Sequence, residues 1–356
     1  MVDAQAKNSA TVMRLLSDGL NCRSVPHSYI QPLEKRPTNL PSSLISSPHC
    51  NQQNYTSPIV DLEHGRFDRA KTIQQIFKAI EEFGFFQLIN HGISKEMMGE
   101  AMSVGREFFE MPMEDREKLY CDGFEKPVKV ASSVVYDRED VHYWRDSLRH
   151  VCYPVEESTH FWPLKPPKYR EVVAAYSEKV RALALKLLEL IADGLGLKSN
   201  YFDGELTQMQ TILVNHYPQC PDPSLTLGLP VHKDPTLITL LLQDLFGLQV
   251  LKDGEWMGVQ PLPGAFVVIL GFPMQIICND KLKAVEHRVL TNSSTARTTI
   301  TTQVFPTKDC TLEPIEELID DQNPPKYRTL TFQEYFNAHM AARLDPEETI
   351  KPFKLH

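Results

Sequence analysis

The spacing of apolar residues changes character part-way along the chain. Up to about Leu206 they recur mainly at helical intervals, whereas beyond it they fall into short runs separated by turns. In the first stretch, Ile59-Val60-Asp61-Leu62 reads as a strand, and Ala70 to Phe83 as a helix with Ile73, Ile76, Phe77 and Ile80 on one face. Gly84 stops that helix, and Phe85 to Asn90 reads as a second strand. A helix is expected from Lys95 to Glu110, followed from Cys121 to Pro154 by an irregular stretch of loops and short strands. Tyr169 to Leu195 carries Val173, Tyr176, Val180, Leu183, Leu187 and Ile191 in a stripe long enough to support a sheet, and Gly194 and Gly196 close it.

After Leu206 the predicted strands are Thr211 to Tyr217, Leu237 to Gln243, Leu248 to Leu251, Trp256 to Gln260, Ala265 to Leu270, His287 to Leu290 and Thr298 to Phe305. Many short strands at this spacing indicate a sandwich or barrel. Phe332 to Arg343 reads as a last helix. Residues 1–56, rich in Ser, Asn, Gln and Pro around one possible helix from Ala10 to Leu20, form an arm. The expected organisation is therefore that arm, a helix-and-strand region over 57–205, a strand-rich core over 206–310 and a C-terminal helix and tail over 311–356.

Composition narrows the function classes. With 42% hydrophobic and 23% charged residues the chain has the makings of an ordinary globular core. A net charge of −9 with scattered Lys and Arg offers no broad cationic face for nucleic acid. No apolar run approaches the roughly 20 residues of a membrane span. The N-terminal residues lack a secretory pattern, and Asp3 and Asp18 argue against an organelle transit peptide, so a cytoplasmic protein is expected. Seven cysteines without C-x-x-C pairs fit reduced thiols better than a disulfide framework or a zinc cluster.

The sharpest chemical feature is His232-Lys233-Asp234 with His287 far downstream. On a strand, residues two apart share a face, so His232 and Asp234 can converge on one ion while Lys233 points away. Two imidazoles and a carboxylate on one face leave three positions open, which suits non-haem Fe(II); zinc, with four ligands and often thiolates, fits less well. Among twelve histidines a His-x-Asp pair arises readily by chance, and the triplet alone would suit several metals. Arg297, ten residues after His287, and Thr299 strengthen it. If His287 and Arg297 lie on adjacent strands joined by the polar turn Asn292 to Thr295, a guanidinium and a hydroxyl can enter the same cavity and hold a carboxylate.

These residues stand in an ordered series: Gly84-Phe85-Phe86-Gln87, Asn90-His91-Gly92, Asn215-His216-Tyr217-Pro218, His232-Lys233-Asp234, Gly247-Leu248-Gln249, His287-Arg288-Val289 and Arg297-Thr298-Thr299. From about Pro58 onward the chain thus resembles the plant 2-oxoglutarate- and Fe(II)-dependent dioxygenases. Tyr29 to Arg36, Tyr143 to Leu148 and Cys152-Tyr153-Pro154 make it most similar to enzymes of the hyoscyamine 6-hydroxylase type.

The resemblance implies a mainly β fold with flanking helices, a distorted double-stranded β-helix or jelly roll. It implies that His232, Asp234 and His287 bind Fe(II), and that Arg297 and the Thr299 hydroxyl grip the distal carboxylate of 2-oxoglutarate with help from Tyr217 and Asn215. It further implies O₂ as co-oxidant, ascorbate in support, and succinate and CO₂ as coproducts. The expected substrate is a small hydrophobic specialised metabolite, such as an alkaloid, that is hydroxylated, desaturated or cyclised. A flavonoid oxidase of the same family, or a silent paralogue that binds a small molecule without turnover, are the alternatives. A zinc hydrolase is disfavoured because no general base accompanies the triad. The protein is expected to act as a monomer on a small molecule, without nucleic acid or membrane.

Phe124, Tyr136, Tyr143 and Phe305 are candidate substrate contacts. Four positions depart from the family pattern. Thr299 stands where Ser is usual, Ile269 and Phe272 flank Gly271 where Asn and Asp are common, and His216 replaces an aromatic Tyr.

Overall fold

Two sheets share the work of enclosing one cavity. The computed structural model describes residues 12, 24–37, 57–63, 68–120, 126–134 and 139–355; apart from Val12, the expected helix Ala10 to Leu20 lies outside them. The strands are β1 (Ile59–Asp61), β2 (Phe85–Ile89), β3 (Val128–Ser132), β4 (Asp146–Val151), β5 (Met209–Tyr217), β6 (Leu229–His232), β7 (Ile238–Gln243), β8 (Leu248–Lys252), β9 (Glu255–Gly258), β10 (Phe266–Leu270), β11 (His287–Val289) and β12 (Arg297–Phe305). The major sheet runs β1-β2-β10-β7-β12-β5-β4-β3 and the minor sheet β6-β11-β8-β9. Side chains of both sheets line the same interior, which is the expected jelly-roll arrangement.

Helices cover the opposite face of the major sheet. They are α1 (Arg69–Phe83), α2 (Lys95–Glu110) and α3 (Tyr169–Gly194); the short α4 (Phe272–Ile277) follows β10, and the late α5 (Phe332–Ala341) lies on the cavity side. Local chemistry fixes their ends. Asp68 accepts a hydrogen bond from the Lys71 amide, Ser94 does the same for Met97, and Thr331 with Glu334 forms a capping box. Gly84 ends α1 at φ +75°, and a Cβ there would lie 2.5 Å from Val285 Cβ, so both conformation and space require glycine.

Strand periodicity divides the long strand β12 between two environments. Arg297, Thr299, Thr301, Gln303 and Phe305 face the cavity, whereas Ile300 and Val304 join Val180, Leu183 and Leu187 of α3 in the main core. β5 does the same, its odd-numbered residues inward and Ile212 and Val214 outward against the helices. The described part of the segment from Cys121 to Pro154, expected to hold loops and short strands, contains β3 and β4, which extend the major sheet beyond β5. The bounds of these strands had no clear sequence signal, because Lys129, Ser147 and Arg149 face the cavity where an apolar residue would mark a core face. Among the described residues no helix is long and apolar enough to cross a membrane.

Candidate active site

β6 and β11 pair antiparallel so that His232 and His287 are direct partners in the register. Their rings lie 4.1 Å apart. Each Nδ1 faces a backbone carbonyl two residues upstream, Pro230 O at 2.9 Å for His232 and Val285 O at 3.2 Å for His287. A carbonyl can only accept, so each ring carries its proton on Nδ1 and turns the Nε2 lone pair inward. Burial, with the neighbouring His287 adding to it, holds His232 well below the ordinary imidazole range, in the neutral form that can act as a ligand.

Asp234 completes the group. Its Oδ1 is 3.7 Å from His232 Nε2 and 3.6 Å from His287 Nε2, while its buried Oδ2 has no hydrogen-bond partner. The strand expected to carry both His232 and Asp234 ends at His232. Asp234 lies on the loop beyond, where its carbonyl accepts the Phe272 amide of α4 at 3.0 Å instead of a sheet partner. Gly271 makes that contact possible, since a Cβ there would fall 1.9 Å from Thr236 O and 2.6 Å from Asp234 O. Ile269, one of the unusual neighbours of Gly271, lines the cavity, and Phe272 packs under the ammonium of Lys233, 4.9 Å from its ring.

Three buried ligand atoms within 4.8 Å of one another, one carboxylate oxygen otherwise unpaired, form a donor set that fits a divalent metal. Opposite it, Arg297 is 1% exposed. It donates to Leu245 O from Nε and to Gln243 Oε1 from Nη2, leaving Nη1 buried without a partner. Tyr217 stacks near it, 5.2 Å from ring to guanidinium. Asn215 Nδ2 donates to Thr299 Oγ1 at 3.3 Å and Thr301 Oγ1 at 3.2 Å. These four side chains and the three metal-ligand candidates line one cavity of about 960 Å³.

His287 and Arg297 are not on adjacent strands as expected. β11 belongs to the minor sheet and β12 to the major one; between them Asn292 O accepts the Cys220 amide, and Asn292 Oδ1 accepts the Ser294 amide within the turn itself. The two residues line the same cavity from different sheets instead of along a hairpin.

Residues 57–169 match the family model described as non-haem dioxygenase in morphine synthesis N-terminal, and residues 208–306 match that of the 2OG-Fe(II) oxygenase superfamily. Hyoscyamine 6-dioxygenase of Hyoscyamus niger is 42% identical over 346 residues, covering 94% of this chain and 97% of the relative. The chain belongs to the 2-oxoglutarate- and Fe(II)-dependent oxygenases. Flavanone 3-dioxygenase 2 of Oryza sativa subsp. japonica is 38% identical over 334 residues, covering 93% of this chain and 94% of that one. The crystal structure of JOX2 in complex with 2OG, Fe and JA superposes with a TM-score of 0.83 at 32% identity, covering 97% of each chain. Fe(II) and 2-oxoglutarate are accordingly the cofactor and cosubstrate of this oxygenase.

The candidate substrate contacts of the oxygenase divide. Phe305 lines the cavity and stacks on Phe332, 5.9 Å between ring centres. Tyr143 does not line it; it packs with Leu227, Leu290 and Phe246. Phe124 and Tyr136 lie outside the described residues. His216 faces away from the cavity, stacked on Phe109 at 5.0 Å with its Nδ1 3.2 Å from Thr298 Oγ1. Sequence reasoning passed over Arg145, Ser147 and Arg149, which face the cavity from β4 and the residue before it, and Phe332, Phe336, His339 and Met340 of α5, which close one side. The every-second-residue run Arg145, Ser147, Arg149 was the available signal for the first group.

Proposed function

We propose that this oxygenase oxidises a small, largely apolar specialised metabolite, with His232, Asp234 and His287 as the iron ligands. Arg297 and the Thr299 hydroxyl hold the distal carboxylate of 2-oxoglutarate, and Tyr217 and Asn215 orient them. The observation that carries this reading is the pairing of two unmet groups across one cavity: the free Oδ2 of Asp234 and the free Nη1 of Arg297. A buried carboxylate oxygen and a buried guanidinium N–H are costly unless a cation and an anion complete them. Bound iron supplies O₂ activation coupled to decarboxylation of the 2-oxo acid.

The chain's own residues position and shield. The Pro230 and Val285 carbonyls keep both imidazoles aimed inward, and Gln243 with Leu245 O fixes the Arg297 fork. Leu229, Leu241, Leu248, Ile269, Val289 and Phe305 supply apolar wall, which limits water around the reacting carbon. Hydroxylation, desaturation and ring closure differ in which substrate atom this wall presents to the metal.

Succinate release measured together with substrate mass change, over a panel of alkaloids, flavonoids and phenolic acids, tests the proposal. Turnover should give one succinate per substrate gaining one oxygen or losing two hydrogens. Anaerobic addition of Fe(II) and 2-oxoglutarate should produce a weak visible charge-transfer band. Absence of that band would favour a protein that binds small molecules without turnover.

A further inference from the structure

The charged lining of the cavity is one-sided. Among the described residues it comprises Lys126, Lys129, Arg145, Arg149, Arg297 and Lys308 as cations, against one carboxylate, Asp234. The chain as a whole is acidic, with a net charge of −9, so this concentration of positive charge is local to the cavity. Asp234 is the metal-ligand candidate, and Arg297 serves the cosubstrate. The remaining cations have no such assignment.

Arg145 is the most constrained of them. It is 7% exposed and immediately precedes β4, whose Ser147 and Arg149 face the cavity on the same strand parity. Its Nη1 donates to Asn215 Oδ1 at 3.1 Å and its Nη2 to Ser133 O at 2.5 Å, while Nε is buried without a partner among the described residues. Both acceptors are neutral. A guanidinium has five N–H donors and a full charge, and a buried guanidinium with no counter-anion is among the less stable arrangements a fold can hold. Asn215 stands between this group and the cosubstrate side, because its amide nitrogen serves Thr299 and Thr301 while its oxygen serves Arg145. One residue thus separates two cationic stations, each with an unused N–H.

We infer that the substrate is an organic acid, whose carboxylate pairs with Arg145 while its apolar body lies along the cavity wall toward the metal. This deepens the oxygenase reading and rests on it. A protonated amine finds no carboxylate among the described lining residues beyond Asp234 and would sit among like charges, so an ammonium-bearing scaffold is disfavoured. An ester or amide of the same body keeps the apolar contacts and loses the ion pair.

The test uses the holoenzyme with Fe(II) and saturating 2-oxoglutarate under anaerobic conditions, titrated calorimetrically with three probes of matched shape: 3-phenylpropanoate, its methyl ester and 3-phenylpropylamine. The acid should bind roughly tenfold or more tightly than either relative. In Arg145→Gln the acid should weaken about 30-fold, with the ester changed by less than about threefold. Arg145→Lys should retain part of the acid preference. Equal or weaker binding of the acid in wild type, or no binding by any probe, overturns the inference without recourse to a variant that fails to fold. Acid binding that disappears at saturating 2-oxoglutarate also overturns it, since the acid would then be occupying the cosubstrate's place. If 2-oxoglutarate itself fails to bind with iron, it is the oxygenase reading that falls.

Discussion

The two sides of the cavity are held in place by different means. On the metal side the contacts that orient the rings are short in sequence, each histidine being held by the carbonyl two residues before it, although the two histidines meet through a strand pair that joins distant parts of the chain. On the anion side they are long: Arg297 is held by Gln243 and Leu245, more than fifty residues away, and Asn215 reaches Thr299 across the β5–β12 pairing. Ring orientation on the metal side is therefore set by local geometry, and the anion side by correct register of the major sheet. Damage to the first should be chemical and confined, whereas damage to the second should grade with the number of donors lost.

The largest expected effect lies on the metal side. Asp234→Ala removes the carboxylate and should lower iron retention and succinate formation by more than about 100-fold, beyond what loss of a supporting hydrogen bond costs. Iron content after gel filtration and single-turnover succinate yield check it, and near-normal iron content in this variant would break the comparison. Next, Arg297→Gln should cost about 2 to 5 kcal/mol of 2-oxoglutarate binding. A titration of the anaerobic charge-transfer band measures this, and iron affinity without the cosubstrate should stay the same. Gly271→Ala should destabilise the fold by about 1 to 3 kcal/mol through overpacking against Thr236 O. It should also lower iron affinity, because the displaced loop carries Asp234; denaturant titration and iron binding on the same sample would show whether the two losses travel together. The smallest effect should come from Thr299→Ser, which keeps the hydroxyl and removes one methyl. A change in 2-oxoglutarate affinity of about 0.8 kcal/mol or less is expected, and a larger one would mean the methyl itself shapes the site.

The same contrast explains what could be read from the chain beforehand. The helices α1, α2 and α3 and most strands after Leu206 follow from apolar periodicity, because each buries one face in an ordinary core. The triad was legible because its residue types are chemically distinctive, although the reason Asp234 can join it lies in Gly271, whose close approach to the loop leaves no mark in local spacing. Short strands were expected around β3 and β4, but their bounds were hard to see because the inward residues Lys129, Ser147 and Arg149 mute the alternation. The separation of His287 from Arg297 into different sheets was hidden for a further reason. A polar turn of a few residues looks the same whether it closes a hairpin or crosses between layers, and only the Cys220 amide bonded to Asn292 O distinguishes them.

The helix α5 has a consequence for how the protein is made. Phe332, Phe336, His339 and Met340 complete the cavity wall, yet they follow every candidate ligand and anion-binding residue along the chain. Since synthesis proceeds from the N-terminus, the strands of both sheets and the candidate metal-binding and cosubstrate residues are made before the segment that covers them. A chain cut short before Phe332 would therefore keep every one of those candidate residues and lack the cavity wall that α5 provides.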